Sequence, residues 1–140
     1  MRFIPTRVHG VIDYLWGVLF ASSPWLFGYG RGGAETWVAV AFGAGAILYS
    51  LLTDYEVGVF RVLSMRAHLV LDVLGGAVLA ASPWLFGFAD LVRAPHLGFG
   101  LFSVVAGLIT ETVPRKHAPA RTTEGGTLVH PDRERRDLHP

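Results

Sequence analysis

The stretch Val8-His9-Gly10-Val11-Ile12-Asp13, running on to Ala21-Ser22-Ser23-Pro24-Trp25-Leu26-Phe27-Gly28, occurs a second time. It returns as Ala67-His68-Leu69-Val70-Leu71-Asp72, running on to Ala80-Ala81-Ser82-Pro83-Trp84-Leu85-Phe86-Gly87. Every matched pair is separated by 59 positions. A constant offset over roughly 20 residues marks a repeated structural unit, and a repeat must be found before any element is assigned. Behind each copy lies a second apolar stretch. There the offset falls to 57, so that Gly43 meets Gly100 and Thr53-Asp54 meets Thr110-Glu111; the loop inside the first half is longer by two residues.

The 140 residues are 51% hydrophobic and only 16% charged, with a mean hydropathy of +0.43, too apolar for an ordinary soluble domain. No Asp, Glu, Lys or Arg lies between Trp37 and Thr53, a run about long enough to cross a bilayer. Three further apolar runs, each holding a single acidic residue, cover 8–27, 67–88 and 94–112. The pattern predicts an all-α fold of four transmembrane helices, arranged as two helical hairpins. Two spans per half is an even number, so the halves are parallel repeats about a pseudo-twofold axis along the membrane normal. The expected membrane domain is 1–112, with repeat one at about 4–54 and repeat two at about 66–112, and 113–140 form a disordered cytoplasmic tail.

Charge sets the orientation. Ten of the twelve Lys and Arg residues fall at the N-terminus, in the middle loop and in the tail, against Arg31 and Arg93 on the other side, so both termini are expected in the cytoplasm. Arg2 and Arg7 before an apolar stretch resemble a signal peptide. The internal recurrence of that stretch, and Asp13 within it, favour retention of the first span in the mature protein. The absence of cysteine excludes disulfides and thiolate metal sites, and a net charge of +1 gives no reason to expect a nucleic-acid partner. The middle loop, 54–66, sets Val59, Phe60, Val62 and Leu63 beside arginines; it reads as a short interfacial helix or as a plain linker.

Residues four apart share a helix face. His9, Asp13, Trp16, Phe20 and Ser23 therefore form one stripe, matched by His68, Asp72, Gly75, Leu79 and Ser82, and the polar members turn the stripe toward the bundle interior. Trp16 then answers Gly75, large against small. If both stripes face one axis, His9, Asp13, His68 and Asp72 converge near the cytoplasmic ends of the first and third spans, as a two-His, two-carboxylate site for a divalent metal or a proton relay. The plainer alternative pairs each His with its own Asp, or each Asp with a helix end, Arg7 or Arg66. Asp54 and Glu111 are placed to join either network. No cofactor is identifiable from these residues.

Ser23-Pro24-Trp25 and Ser82-Pro83-Trp84 form a structural motif. Proline removes a helical hydrogen bond, while serine caps well and proline starts helices well. A kink or break at Ser23 is expected, followed by a short turn ended by Gly28, with Trp25 and Trp84 in the far aromatic belt. Ala39, Ala41, Gly43, Gly45, Gly76, Ala80, Gly98, Gly100, Ser103 and Gly107 are expected to allow close helix packing.

Duplicated hairpins carrying intact Ser-Pro-Trp-Leu-Phe-Gly in each first helix resemble the SPW-repeat family of small bacterial integral membrane proteins, over roughly residues 4 to 112. The resemblance implies a multi-pass protein of the bacterial inner membrane and brings no activity or catalytic residue with it. Two functions follow as expectations. The first is a non-enzymatic structural or accessory module whose partner is the lipid bilayer. The second is a small ion-binding or transport protein, a homo-oligomer using the His/Asp cluster. An enzyme is not expected, because no nucleophile–base arrangement or phosphate motif is present.

Overall fold

The computed structural model describes residues 2–114. Four helices follow in order: α1 (Thr6–Leu26), α2 (Ala34–Leu52), α3 (Met65–Leu85) and α4 (Ala94–Ile109). No strand occurs among the described residues, only isolated backbone bridges. The expected tail lies outside the described residues from position 115 onward.

α1 packs extensively on α2, and α3 on α4, while α2–α3 and α1–α4 touch sparsely. The chain is thus two hairpins laid side by side. Glycines set the spacing within each. A Cβ on Gly43 would lie 2.5 Å from the Gly17 carbonyl oxygen, and one on Gly100 2.5 Å from the Gly76 carbonyl oxygen. Both are closer than any real contact, so these backbones can touch only without side chains. Gly45 and Gly98, expected among the packing residues, have open space at their Cβ positions instead; Gly98 is exposed, and Gly45 is half-buried beside a cavity lined by Trp16, Phe42 and Gly75.

α2 and α3 are long and apolar enough to cross a membrane, and α4 is a shorter apolar helix. Only 33% and 39% of the most apolar windows of α2 and α3 are buried. A core helix of a soluble domain would be mostly covered, so these helices present their apolar surface outward. Trp25, Trp84, Leu15, Leu74 and Phe102 are among the many large apolar side chains left exposed.

The expected break at Ser23 does not occur. α1 runs through Pro24 to Leu26, and α3 through Pro83 to Leu85. Pro24 has no N–H to give the carbonyl four residues back, that of Phe20. The Ser23 hydroxyl donates to this same oxygen at 2.7 Å, and Ser82 repeats the bond to Leu79 O at 2.7 Å. The serine thus supplies the hydrogen bond that the proline removes. Each helix then ends on a glycine with positive φ, 67° at Gly28 and 70° at Gly87. The N–H of Tyr29 reaches Pro24 O at 2.9 Å and that of Phe88 reaches Pro83 O at 2.8 Å, the six-to-one bond of a Schellman C-cap.

The middle loop is not a helix. The N–H groups of Val59 and Phe60 bond to Leu51 O, and those of Val62 and Leu63 to Leu52 O. The loop therefore folds back on the end of α2, and Arg61 takes a positive φ of 50° within it. Thr53 then forms a bridge with Leu63, and Thr110 an equivalent one with Ile4. Asp54 N–H donates to Leu63 O, and Glu111 N–H to Ile4 O.

Candidate functional site: a buried His/Asp centre

His9 and Asp13 lie on the first turns of α1, and His68 and Asp72 on the first turns of α3. All four are buried, at 1%, 8%, 0% and 3% exposure, and one ligand atom from each lies within 4.8 Å of the others. The contacts cross between the hairpins. His9 Nε2 is 2.9 Å from Asp72 Oδ2 and His68 Nε2 is 3.1 Å from Asp13 Oδ2; the contacts within each helix are longer, at 3.3 Å for His9–Asp13 and 3.4 Å for His68–Asp72. Pairing of each His with its own Asp is therefore real but secondary. Among the described residues, Asp13 and Asp72 form their ion pairs with the two histidines and not with Arg7 or Arg66.

The outer face of each ring is fixed by a threonine. Thr110 Oγ1 lies 2.9 Å from His9 Nδ1, and Thr53 Oγ1 lies 2.8 Å from His68 Nδ1. Each hydroxyl has one proton, which goes to a carbonyl one turn back: Ala106 O for Thr110 and Tyr49 O for Thr53, both at 2.7 Å. The threonine can therefore only accept from the imidazole, so Nδ1 carries the proton and Nε2 faces the carboxylates. Thr53 and Thr110 end α2 and α4 in nearly identical extended geometry, so each histidine of one hairpin is oriented by the last turn of the other.

Two inward atoms, Asp13 Oδ2 and His68 Nε2, are fully buried and share no well-aligned hydrogen bond although they are 3.1 Å apart. Tyr49 OH donates to Asp72 Oδ1 at 2.6 Å. Its counterpart in the second half is Ala106, so Asp13 has no matching tyrosine. Ser103 Oγ donates to the Asp72 carbonyl at 3.0 Å, tying α4 to α3 beside the centre. Tyr55, from the middle loop, is fully buried and packs against His68. Burial pushes its phenol above the ordinary value, and the Asp13 carboxylate adds to the shift. A cavity of about 10 Å³ lined by His9, Asp13, Tyr49, Asp72 and Ser103 adjoins the cluster. That is about the size of one water, so no organic substrate fits here.

The sequence-predicted residues separate into two groups. His9, Asp13, His68 and Asp72 meet. Ser23, Pro24, Ser82 and Pro83 are buried further along the same helices, with Trp25 and Trp84 exposed nearby. Trp16 and Gly75 line one apolar cavity, and the Trp16 indole N–H donates to Phe99 O at 3.2 Å. Thr53, Thr110 and Tyr49 are functional neighbours that the motif reading missed. The threonines recur at the same register of both halves, the one signal available, and it is the threonine of each Thr-acid pair that reaches the histidine.

Two apolar helices of spanning length that leave most of their surface uncovered support assignment to the helical membrane proteins. The chain belongs to the SPW repeat domain family, which matches residues 7–110. No curated protein and no solved structure matches it.

Proposed function

We propose that this protein is a non-enzymatic four-span membrane module that binds one divalent transition-metal ion of the zinc type. The ion would join its two hairpins through His9, Asp13, His68 and Asp72. The observation that carries the reading is the convergence of four ligand atoms, two from each hairpin, within 4.8 Å. A tetrahedral ion held at about 2.0–2.2 Å keeps its ligand atoms about 3.3–3.6 Å apart. The four close N···O separations, 2.9 to 3.4 Å, with Asp13 meeting His9 through Oδ1 and His68 through Oδ2, lie within a few tenths of an ångström of that range, while the most widely spaced ligand atoms, up to 4.8 Å apart, would close by about 1.2 Å around the ion.

Charge supports the same conclusion. With Nδ1 protonated, each Nε2 lone pair lies beside anionic oxygen, 2.9 Å away at His9 and 3.1 Å away at His68, which is repulsive unless positive charge lies between. Two carboxylates require two positive charges, supplied by two protons or by one divalent cation. Either leaves the buried site neutral, a strong requirement in a low-dielectric interior; the single cation does so while using both Nε2 lone pairs as ligands. Histidines fixed by a hydrogen bond on the far nitrogen are the usual metal-ligand arrangement. Four protein ligands close the coordination sphere, the pattern of structural rather than catalytic zinc.

In this reading α1 and α4 also span the bilayer, the hairpins are parallel repeats about a pseudo-twofold axis, and both termini are cytoplasmic in the inner membrane. The matched pairs His9–Thr110 and His68–Thr53 support the repeat symmetry. The test is elemental analysis of the full chain purified in detergent, beside a His9→Ala, His68→Ala variant. One equivalent of metal in the parent and none in the variant is expected. A parent chain that carries no metal, and whose melting temperature does not rise with added zinc, overturns the proposal.

A further inference from the structure

On the side that carries the N-terminus, a groove of about 490 Å³ runs between α3 and α4, within the ~300–1,000 Å³ range of small-molecule sites. Leu69, Val70, Val73, Leu74 and Leu108 form its walls, and Arg2 and Arg66 stand at its mouth. Arg2 is held in place, its Nη1 donating to Thr110 O at 2.6 Å and Gly107 O at 3.3 Å. Arg66 is exposed.

The first hairpin fills the matching position with its own chain. There Gly10 lies directly beneath Tyr55 and Val57, and Tyr14 OH donates to Val57 O at 3.1 Å. In the second hairpin the corresponding residues are Leu69, Val73 and Thr112, and among the described residues no loop closes over them: residues 111–114 leave the groove open. Among the described residues, an apolar slot that one half covers is thus open in the other, beside two guanidinium groups.

We infer that the α3–α4 groove binds an anionic phospholipid, with the phosphate on Arg2 and Arg66 and an acyl chain along Leu69, Val73 and Leu108. Guanidinium groups pair with phosphate through bidentate hydrogen bonds, and arginines at the cytoplasmic surface favour anionic headgroups. Residues 115–140 are a poor alternative occupant. They hold six Lys and Arg against four Asp and Glu, so they bring net positive charge to a positive mouth.

The inference rests on the four-span reading only in needing a bilayer around α3 and α4, and is independent of the metal. The full chain in detergent is equilibrated with phosphatidylglycerol or with phosphatidylcholine of the same acyl chains, and retained lipid is counted by native mass spectrometry. Phosphatidylglycerol is expected to be preferred, and Arg66→Gln to reduce that preference about fivefold, the weight of one arginine near an anionic surface. Val73→Trp, which fills the groove, is expected to lower retention of both lipids. Inorganic phosphate should give no protection against thermal unfolding, since it cannot use the apolar walls. Equal retention of the two lipids by the parent, or an unchanged preference in Arg66→Gln with Val73→Trp also without effect, overturns the inference. A chain that stays soluble without detergent overturns the four-span reading instead.

Discussion

Thr110→Val removes one hydroxyl at nearly constant volume from a fully buried site. Two bonds are lost. Ala106 O still accepts the Thr110 backbone N–H at 3.1 Å, so that carbonyl keeps a partner. The His9 Nδ1–H does not, and an orphaned buried donor costs about 1–3 kcal/mol. The metal-free protein has an escape. The proton can move to Nε2, which lies 2.9 Å from Asp72 Oδ2, so the donor is again satisfied and only the Nδ1 lone pair is left facing the valine. The metal-bound protein has none, because Nε2 is the ligand atom. The substitution should therefore weaken zinc binding about 10–100-fold, the usual effect of losing a ligand's outer hydrogen bond, or about 1.4–2.7 kcal/mol. Metal-free stability should change much less. Competition with a chromophoric chelator gives the affinity, thermal unfolding with and without chelator separates the two states, and Thr110→Ser should restore both. The imidazole ¹⁵N shifts of His9 should move from the Nδ1–H to the Nε2–H form in the valine variant. Unchanged affinity, or an equal loss of stability with and without metal, refutes the reasoning.

Ser82→Ala leaves Leu79 O without the bond that replaces the one Pro83 removes, and should destabilise the protein by about 1–3 kcal/mol, read by denaturant unfolding in detergent; Ser23→Ala should cost more, because it also leaves the Tyr29 hydroxyl without the Ser23 Oγ. Gly43→Ala places a methyl 2.5 Å from Gly17 O and should cost about 1–3 kcal/mol through forced separation of α1 and α2, whereas Gly45→Ala, where the space is open, should be near neutral in the same assay. Tyr49→Phe removes the donor to Asp72 Oδ1 and should lower zinc affinity by about tenfold or more, measured by the same chelator competition, with little effect on helix content by circular dichroism.

The helices and the polar stripe were legible because they depend on spacing. His, Asp, Phe and Ser at intervals of three and four residues lie on one face of a helix whatever surrounds them. The repeat then made the meeting of the two stripes foreseeable. Other features depend on what lies across a contact. Tyr49 has alanine as its counterpart, so no repetition drew attention to it. Thr53 and Thr110 were visible as a repeated pair, but their role needed knowledge of which helix end sits over which ring. Ser-Pro was read as a kink or break, and the break does not occur because the adjacent hydroxyl replaces the hydrogen bond that proline's missing N–H removes. The middle loop carried the apolar and basic residues of an interfacial helix, yet its N–H groups found the open carbonyls at the end of α2 first.

The crossed contacts at the centre have a consequence for assembly. Either hairpin alone holds one His and one Asp a turn apart, a weak two-point grip on any cation, and its histidine lacks the threonine that sets its proton. All four ligands and both orienting hydroxyls come together only after the hairpins dock in register. A shift of either helix by one turn, 5.4 Å, would separate every crossed pair at once. The centre thus acts as a keyed latch, closing on a single alignment of the two halves and rejecting its neighbours.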